Sequence, residues 1–185
     1  MRRRDIVDDD SLRVMVPRSD TVLVPTSASR VRWLREHLIE ALQDLRKAKH
    51  PERRASPLRP EPSGFAARVA RTACSLCKGW CCRNGGNDAF LDDRTMARVR
   101  IARPDMDERA VLRLYLDRVP AVAYRDSCIF HGKQGCALDR SLRADVCNRY
   151  YCGGLGAYMK TRTAIPTKVI AGKGDNKRTS PVLTP

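Results

Sequence analysis

The stretch CSLCKGWCC places four cysteines within nine residues, and the last two of them are neighbours. Four more follow downstream. Only 5% of the 185 residues are aromatic and several of the 11 prolines fall within residues 51–62, so we expect a small apolar core that is helped by a staple. The cysteines that can supply this staple are Cys74, Cys77, Cys81, Cys82, Cys128, Cys136, Cys147 and Cys152.

The spacing of these cysteines favours thiolate ligands of a metal. A C-x2-C pair such as Cys74 and Cys77 brings two sulfurs close enough for one tetrahedral site. On a continuous helix Cys81 would share their face while Cys82 would turn away, and adjacent residues also diverge in a strand. The doublet therefore predicts two metal centres or one multinuclear cluster. Because the downstream cysteines must fold back onto the first group, we expect the metal-free chain to be largely unfolded.

The identity of the metal is left open between zinc and an iron-sulfur cluster. Zinc with four thiolate ligands needs nothing beyond cysteines, and iron-sulfur clusters are also held by cysteines. Neither common ferredoxin spacing occurs. Two residues separate Cys74 from Cys77 and three separate Cys77 from Cys81, which is the reverse of the three-then-two order typical of radical-SAM enzymes. Disulfides or free thiols are a third interpretation. His131, in CIFHGKQGC, is either a further ligand, a hydrogen-bond partner of a ligand or simply a loop residue.

The compartment predicted by the sequence is a reducing cytoplasm. No apolar run approaches the length of a membrane span, and the start MRRRDIVDDDSLRV carries no apolar stretch like that of a secretory signal. We therefore expect no membrane partner. Clustered thiols in the cytoplasm are more often metal ligands or redox groups than disulfides.

The net charge of +15 raises nucleic acid as a partner, because basic surfaces gain affinity for phosphates through counterion release. The excess is spread along the chain, with +5 in each of residues 1–60, 61–152 and 153–185. A solvated basic surface is the simpler interpretation.

The pattern along the chain predicts a small metal-stapled domain, mainly α-helical with irregular loops, that carries an N-terminal hairpin and helix. We place the extension at residues 1–50, a proline-rich linker at 51–63, the eight-cysteine metal-binding domain at 64–160 and a basic, partly disordered tail at 161–185. Residues 11–25 alternate apolar and polar side chains around PRSD, which indicates the hairpin.

Helical periodicity is clearest between residues 30 and 49, where Leu34, Leu38 and Leu45 recur on one face and Ser27 or Ser29 can cap the start. This face either packs on the domain or docks a protein partner. Further helices are predicted in FAARVARTACSLC, DDRTMARVRIAR and MDERAVLRLYLDRV, and a strand around Val169 and Ile170.

Side chains next to the cysteines have simpler expected roles. Trp80, Tyr150 and Tyr151 are expected to wall off the metal from water. Asp92 and Asp93 resemble the first turn of a helix more than a pair of catalytic carboxylates.

CSLCKGWCC followed by SCIFHGKQGCALDRSLRADVCNRYYC resembles the bacterial CxxCxxCC zinc- or iron-chelating domain, the YkgJ-type cysteine-cluster proteins. The resemblance covers residues 74–152 and all eight cysteines. It implies a first cluster of Cys74, Cys77, Cys81 and Cys82 and a second of Cys128, Cys136, Cys147 and Cys152.

The chain departs from that family's pattern in two places. Three residues rather than two precede the doublet, and Arg143-Ala144 stands where the family has Arg-Pro, so we expect a less rigid loop there. The family includes flagellin lysine N-methylases, which implies methyl transfer from S-adenosylmethionine as one alternative function. A redox enzyme and a basic adaptor for protein or nucleic acid are the others. No glycine-rich nucleotide motif supports an enzyme, so catalytic residues remain unknown and the principal expectation is metal binding.

Overall fold

The computed structural model describes residues 11–58, 60–161 and 163–185. Helices alternate with short strands along the chain. In order, the elements are β1 (Leu12–Val16), β2 (Leu23–Pro25), α1 (Ala28–Lys47), α2 (Pro51–Arg54), α3 (Gly64–Cys77), a 3₁₀ helix (Trp80–Gly85), α4 (Asp93–Ala102), α5 (Glu108–Leu116), β3 (Val122–Tyr124), β4 (His131–Gly132), β5 (Gly135–Cys136), α6 (Asp145–Arg149), α7 (Gly153–Thr161), β6 (Thr167–Ala171), a second 3₁₀ helix (Gly174–Asn176) and β7 (Arg178–Leu183).

The chain forms two compact units, and each is assembled from segments that are far apart in sequence. Unit 1 comprises Met1–Ser19, Glu61–Lys78 and Tyr151–Pro185, and unit 2 comprises Asp20–Pro60 and Gly79–Tyr150.

Unit 1 is built on a three-stranded sheet of order β1-β6-β7. β1 runs parallel to β6 with Leu12 opposite Thr167, and β7 runs antiparallel to β6. Alternate residues of β1 and β6 are buried, as expected for a sheet with one covered face. That face packs against α3, and the N-terminal part of α7 packs on β1. The buried apolar side chains are Val14, Val16, Val69, Ala70, Ala73, Cys77, Leu155, Tyr158, Val169 and Ala171.

Unit 2 is a helical core with two small ribbons. α1 packs against α4 and α5, while β2 pairs with β3 and β4 pairs with β5. Tyr115 and Phe130 are the largest side chains that are fully buried there, and their rings lie 6.4 Å apart. This unit also contains the segments that carry five of the eight cysteines.

Helix α1 confirms the periodic pattern in the sequence. Ser27 caps it by accepting a hydrogen bond from the backbone N–H of Arg30, and the helix ends at Lys47. The leucine face, with Leu34 and Leu38 fully buried, packs into the core of unit 2. Packing, rather than exposure for a partner, therefore accounts for that face.

The predicted helices in the cysteine region are also present as α3, α4 and α5. Asp92 caps α4 by accepting hydrogen bonds from the backbone N–H and the hydroxyl of Thr95, so its helix-start role is confirmed. Asp107 does the same for α5 through the N–H of Ala110.

The predicted N-terminal hairpin is wrong. β1 pairs with β6 in unit 1, whereas β2 pairs with β3 in unit 2. Alternation identified strand-like residues on both sides of PRSD, but partner choice depends on distant segments that no local pattern contains.

The compact units also differ from the predicted sequence segments. The predicted extension contributes to both units, and residues 1–10 of it lie outside the described residues. The predicted linker contains α2, and Arg59 of that linker is outside the description. The predicted tail holds β6 and β7, so much of it belongs to the sheet of unit 1; Arg162 of that tail is not described. The strand expected around Val169 is confirmed.

Among the described residues, none of the helices combines the length and the apolar character that crossing a membrane requires.

Candidate metal centre

The segment CSLCKGWCC changes unit between Lys78 and Gly79. α3 ends at Cys77, and Lys78 takes a left-handed conformation in which its N–H donates to the carbonyl of Cys74 at 3.1 Å. Gly79 is left-handed as well, with φ 67°, and a 3₁₀ helix follows from Trp80. The condition of a continuous helix, under which Cys74, Cys77 and Cys81 would share one face, is not met, because two left-handed residues interrupt the helical path after Cys77.

The cysteine doublet does not diverge either. The thiols of Cys81 and Cys82 are joined by a hydrogen bond, which lowers the pKa of Cys81 to about 6 and raises the pKa of Cys82. A 3₁₀ helix spaces successive residues about 120° apart, so its backbone geometry alone does not account for this contact. The argument from divergence for two separate centres is thereby removed.

Backbone hydrogen bonds bring Cys128 and Cys136 to the doublet. The N–H of Cys128 donates to the carbonyl of Cys82 at 2.8 Å, and the N–H of His131 donates to the carbonyl of Cys128 at 2.8 Å. His131 in β4 then lies opposite Cys136 in β5. A Cβ atom on Gly85 would lie 2.9 Å from the Cβ of Cys128, so glycine permits this close approach.

Cys147 joins these thiols from α6. Its pKa is raised to about 11 by desolvation and by the nearby thiols of Cys136 and Cys81, while the guanidinium of Arg143 acts in the opposite direction. Cys147 therefore belongs to the same electrostatic neighbourhood, although ten residues separate it from Cys136 in sequence.

Neighbouring thiols disfavour the ionisation of Cys82, Cys128 and Cys147. Burial raises the pKa of Cys128 to about 12, and the thiols of Cys136 and Cys147 add to the effect. Cys82 experiences the same repulsion from Cys128 and Cys136. Arg30 offsets part of it at Cys128. A set of thiolates at this place therefore requires positive charge for stability.

Unit 1 contains the remaining three cysteines. Cys74 and Cys77 lie in the last turn of α3, where Cys74 is exposed and Cys77 is buried in the core of the unit. Cys152 precedes α7 and packs partly against the same core. The units thus hold three and five cysteines, whereas the resemblance implies two groups of four.

The donor atoms of unit 2 suit a thiophilic metal, but they are not yet arranged around one. Across the part of the chain that the structure describes, no group of three or more His, Cys, Asp or Glu side chains is positioned to hold a metal ion. The five thiols form an all-sulfur set of the kind that zinc and iron-sulfur clusters take. Binding would require their side chains to turn towards a common centre.

His131 is a buried side chain rather than a loop surface residue. Its Nδ1 is 2.8 Å from the hydroxyl of Ser127, and its ring lies 4.6 Å from the ring of Tyr124. Burial lowers the pKa of His131, which favours the neutral ring. A Cβ on Gly79 would lie 2.3 Å from Cε1 of the ring, so the imidazole fills the space above the Gly79 turn. These contacts give His131 a packing role close to the cysteine doublet.

The aromatic residues expected to shield the metal are partly exposed. Trp80 is 41% exposed and Tyr150 is 52% exposed, and Tyr151 packs partly against the core of unit 1. The guanidinium of Arg83 lies 4.8 Å from the centre of the Trp80 ring. Together with Asn84 and Asp126, Trp80 and Arg83 line an open surface concavity.

Sequence reasoning missed the polar residues that hold the loop before Cys147, chiefly Arg98. A basic residue in DDRTMARVRIAR carries no sign that it is buried, although its position on the apolar side of α4 between Ala97 and Val99 was a signal.

The chain matches no protein-family model, no curated protein and no solved structure. The resemblance to the cysteine-cluster family therefore stays a prediction that depends on the spacing of the cysteines.

Proposed function

We propose that this protein binds a thiophilic metal through its cysteines, either as zinc or as an iron-sulfur cluster. The observation that carries the proposal is the convergence of five thiols in unit 2 from three separate segments. These thiols are Cys81 and Cys82 of the 3₁₀ helix, Cys128 and Cys136 of the following loop and ribbon, and Cys147 of α6.

The effect of the neighbouring thiols on one another's pKa supports metal binding. Neighbouring thiols contribute to the raised pKa of Cys82, Cys128 and Cys147, and a bound cation offsets this repulsion because it favours the thiolate form of each ligand. Burying thiols merely to fill a core would need no such grouping.

All eight cysteines are proposed ligands, but the five in unit 2 form the primary centre. One zinc ion takes four thiolates, so five exceed a mononuclear site. Either one thiol stays outside the coordination sphere or the set binds more than one metal atom. Cys74, Cys77 and Cys152 of unit 1 are the secondary set.

The proposed setting is a reducing cytoplasm. The structure, which describes all eight cysteines, assigns none of them to a disulfide, and thiolate coordination requires that they stay reduced. The proposed metal binding therefore requires a compartment that keeps the cysteines reduced.

Anaerobic purification followed by elemental analysis and a visible spectrum tests the proposal. Zinc in a colourless protein indicates a structural thiolate centre, whereas iron with acid-labile sulfide and brown absorption indicates a cluster. Protein that is purified in this way and carries no metal, and that takes up neither zinc nor iron on reconstitution, would contradict the proposal.

Serine variants assign the ligands. Cys128→Ser and Cys136→Ser should each reduce the metal content of the primary centre, and Cys74→Ser serves as the comparison in the other unit. Equal metal content in the wild-type protein and in both unit 2 variants would exclude the five-thiol centre.

A further inference from the structure

Arg98 is a charged side chain in the interior of unit 2. It lies on α4 and is only 8% exposed. Its Nη1 donates to the carbonyl of Ser141, its Nη2 donates to the carbonyl of Arg143 at 2.5 Å, and its Nε lies 3.4 Å from a carboxylate oxygen of Asp145. All three partners belong to the segment that leads into α6.

The carbonyls of residues 140–143 are held by side chains from three different helices. Arg98 of α4 donates to the carbonyls of Ser141 and Arg143, and Tyr115 of α5 donates to the carbonyl of Leu142 at 2.9 Å. Asn148 of α6 donates to the carbonyl of Arg140 at 2.9 Å. Four successive carbonyls thus have side-chain donors, which fixes the path of a loop that lacks strand or helix pairing of its own.

This loop decides where Cys147 lies. α6 is only five residues long, so its position depends on the backbone that enters it at Ala144. Cys147 comes four residues after Arg143 and two after Asp145, both of which Arg98 contacts. The side-chain donors to the loop's carbonyls restrain this backbone.

The planar guanidinium suits this task. It presents several N–H groups in a fixed fork and can hold two carbonyls and one carboxylate at once, whereas a lysine ammonium is a single point on a flexible stem. Burial of a charge is costly unless it is matched in this way, so a cation at this place indicates a need for defined geometry more than a need for core volume.

We propose that Arg98 is a positioning residue for the metal centre, which holds the residue 140–145 segment so that Cys147 faces the other four thiols of unit 2. The inference rests on the proposed metal-binding function. It adds that one thiol of the centre is placed by a buried arginine on a helix that itself carries no cysteine.

Titration of the reduced full-length protein with Co²⁺ tests this inference, because cobalt bound to thiolates shows absorption bands that report ligand number and geometry. Arg98→Met should bind Co²⁺ at least tenfold more weakly and show the weaker thiolate-to-cobalt band of a Cys147→Ser variant. Arg98→Lys should restore only part of the affinity. Arg94→Met, which removes an exposed arginine one turn earlier on α4, is the matched control and should bind as the wild type does.

The outcomes separate the two proposals. Wild-type protein that binds neither Co²⁺, zinc nor iron would overturn the metal-binding function and the role of Arg98 with it. Wild-type binding together with an unchanged spectrum and affinity in Arg98→Met would overturn the positioning role alone.

A second variant covers the case in which Arg98→Met does not fold. Asn148→Ala keeps the buried charge pair and removes the side-chain amide that donates to the carbonyls of Arg140 and Arg143. It should weaken Co²⁺ binding by threefold or more while the circular dichroism of the protein is retained. Wild-type affinity in this variant, combined with global unfolding of Arg98→Met, would mean that Arg98 supports the core as a whole and would refute the proposal.

Discussion

The close approach of α7 to strand β1 gives a prediction with a built-in control. Gly153 and Gly154 are adjacent at the start of α7, yet their surroundings are opposite. A Cβ on Gly154 would lie 1.7 Å from the carbonyl oxygen of Met15, whereas a Cβ on Gly153 would meet nothing within 4 Å. Substitution by alanine therefore adds the same methyl group at both positions, but only the methyl group at position 154 meets the backbone of β1.

The size of the effect follows from that distance. Cβ atoms essentially never approach other atoms closer than 3.0 Å, so Gly154→Ala forces the start of α7 away from β1 by more than an ångström. Leu155 and Tyr158 of α7 are buried in the core of unit 1 and would lose packing. Overpacking of this kind costs about 1–3 kcal/mol, and we expect the upper end because the blocking atom is backbone. Gly153→Ala should change stability by less than about 1 kcal/mol, in the stabilising direction, because alanine lowers the entropy of the unfolded chain.

Urea unfolding of the reduced protein, followed by far-ultraviolet circular dichroism, measures both values. The free energy of unfolding should fall by at least about 2 kcal/mol more in Gly154→Ala than in Gly153→Ala. Two variants of equal stability would show that α7 does not lie against β1 as described.

Further predictions concern unit 2 and the metal. Gly79→Ala should destabilise the protein by more than the roughly 1–2 kcal/mol that a left-handed alanine costs, because its Cβ would clash with the ring of His131. In a His131→Ala background the clash is absent, so urea unfolding should show only the cost of the left-handed alanine. Tyr115→Phe should cost about 1–3 kcal/mol, since the buried carbonyl of Leu142 loses its donor. Burial raises the pKa of Tyr115, so the wild-type protein should lose stability as pH rises above the ordinary tyrosine value of about 10, and melting curves of the phenylalanine variant should show a smaller loss. Removal of metal by a chelator should lower helical circular dichroism and protease resistance, and an unchanged signal after complete metal removal would contradict the predicted coupling of binding and folding.

Local sequence signals predicted the helices well. The leucine repeat and Ser27 define α1, and aspartates mark the starts of α4 and α5, because helix formation depends on neighbours within one or two turns. The strand at Val169 was likewise visible from its composition.

Pairing between distant segments could not be predicted in this way. β1 and β6 are separated by 155 positions at the Leu12–Thr167 pair, and nothing in either strand identifies the other. The same limit applies to the thiols: spacing grouped the first four cysteines, but the left-handed turn at Lys78 and Gly79 sends the doublet into the other unit. Gly79 was the signal for that turn, since glycine commonly follows the end of a helix.

The alternation of segments between the two units has a consequence for synthesis. The sheet of unit 1 joins β1 to β6 and β7, which follow it by about 150 positions, so it cannot form until synthesis has passed β7. Unit 2 must wait for α6 before Cys147 arrives. The cysteines emerge as unprotected thiols during this interval, so the metal binding proposed above would require a reducing environment and metal that is still available once Cys147 has emerged.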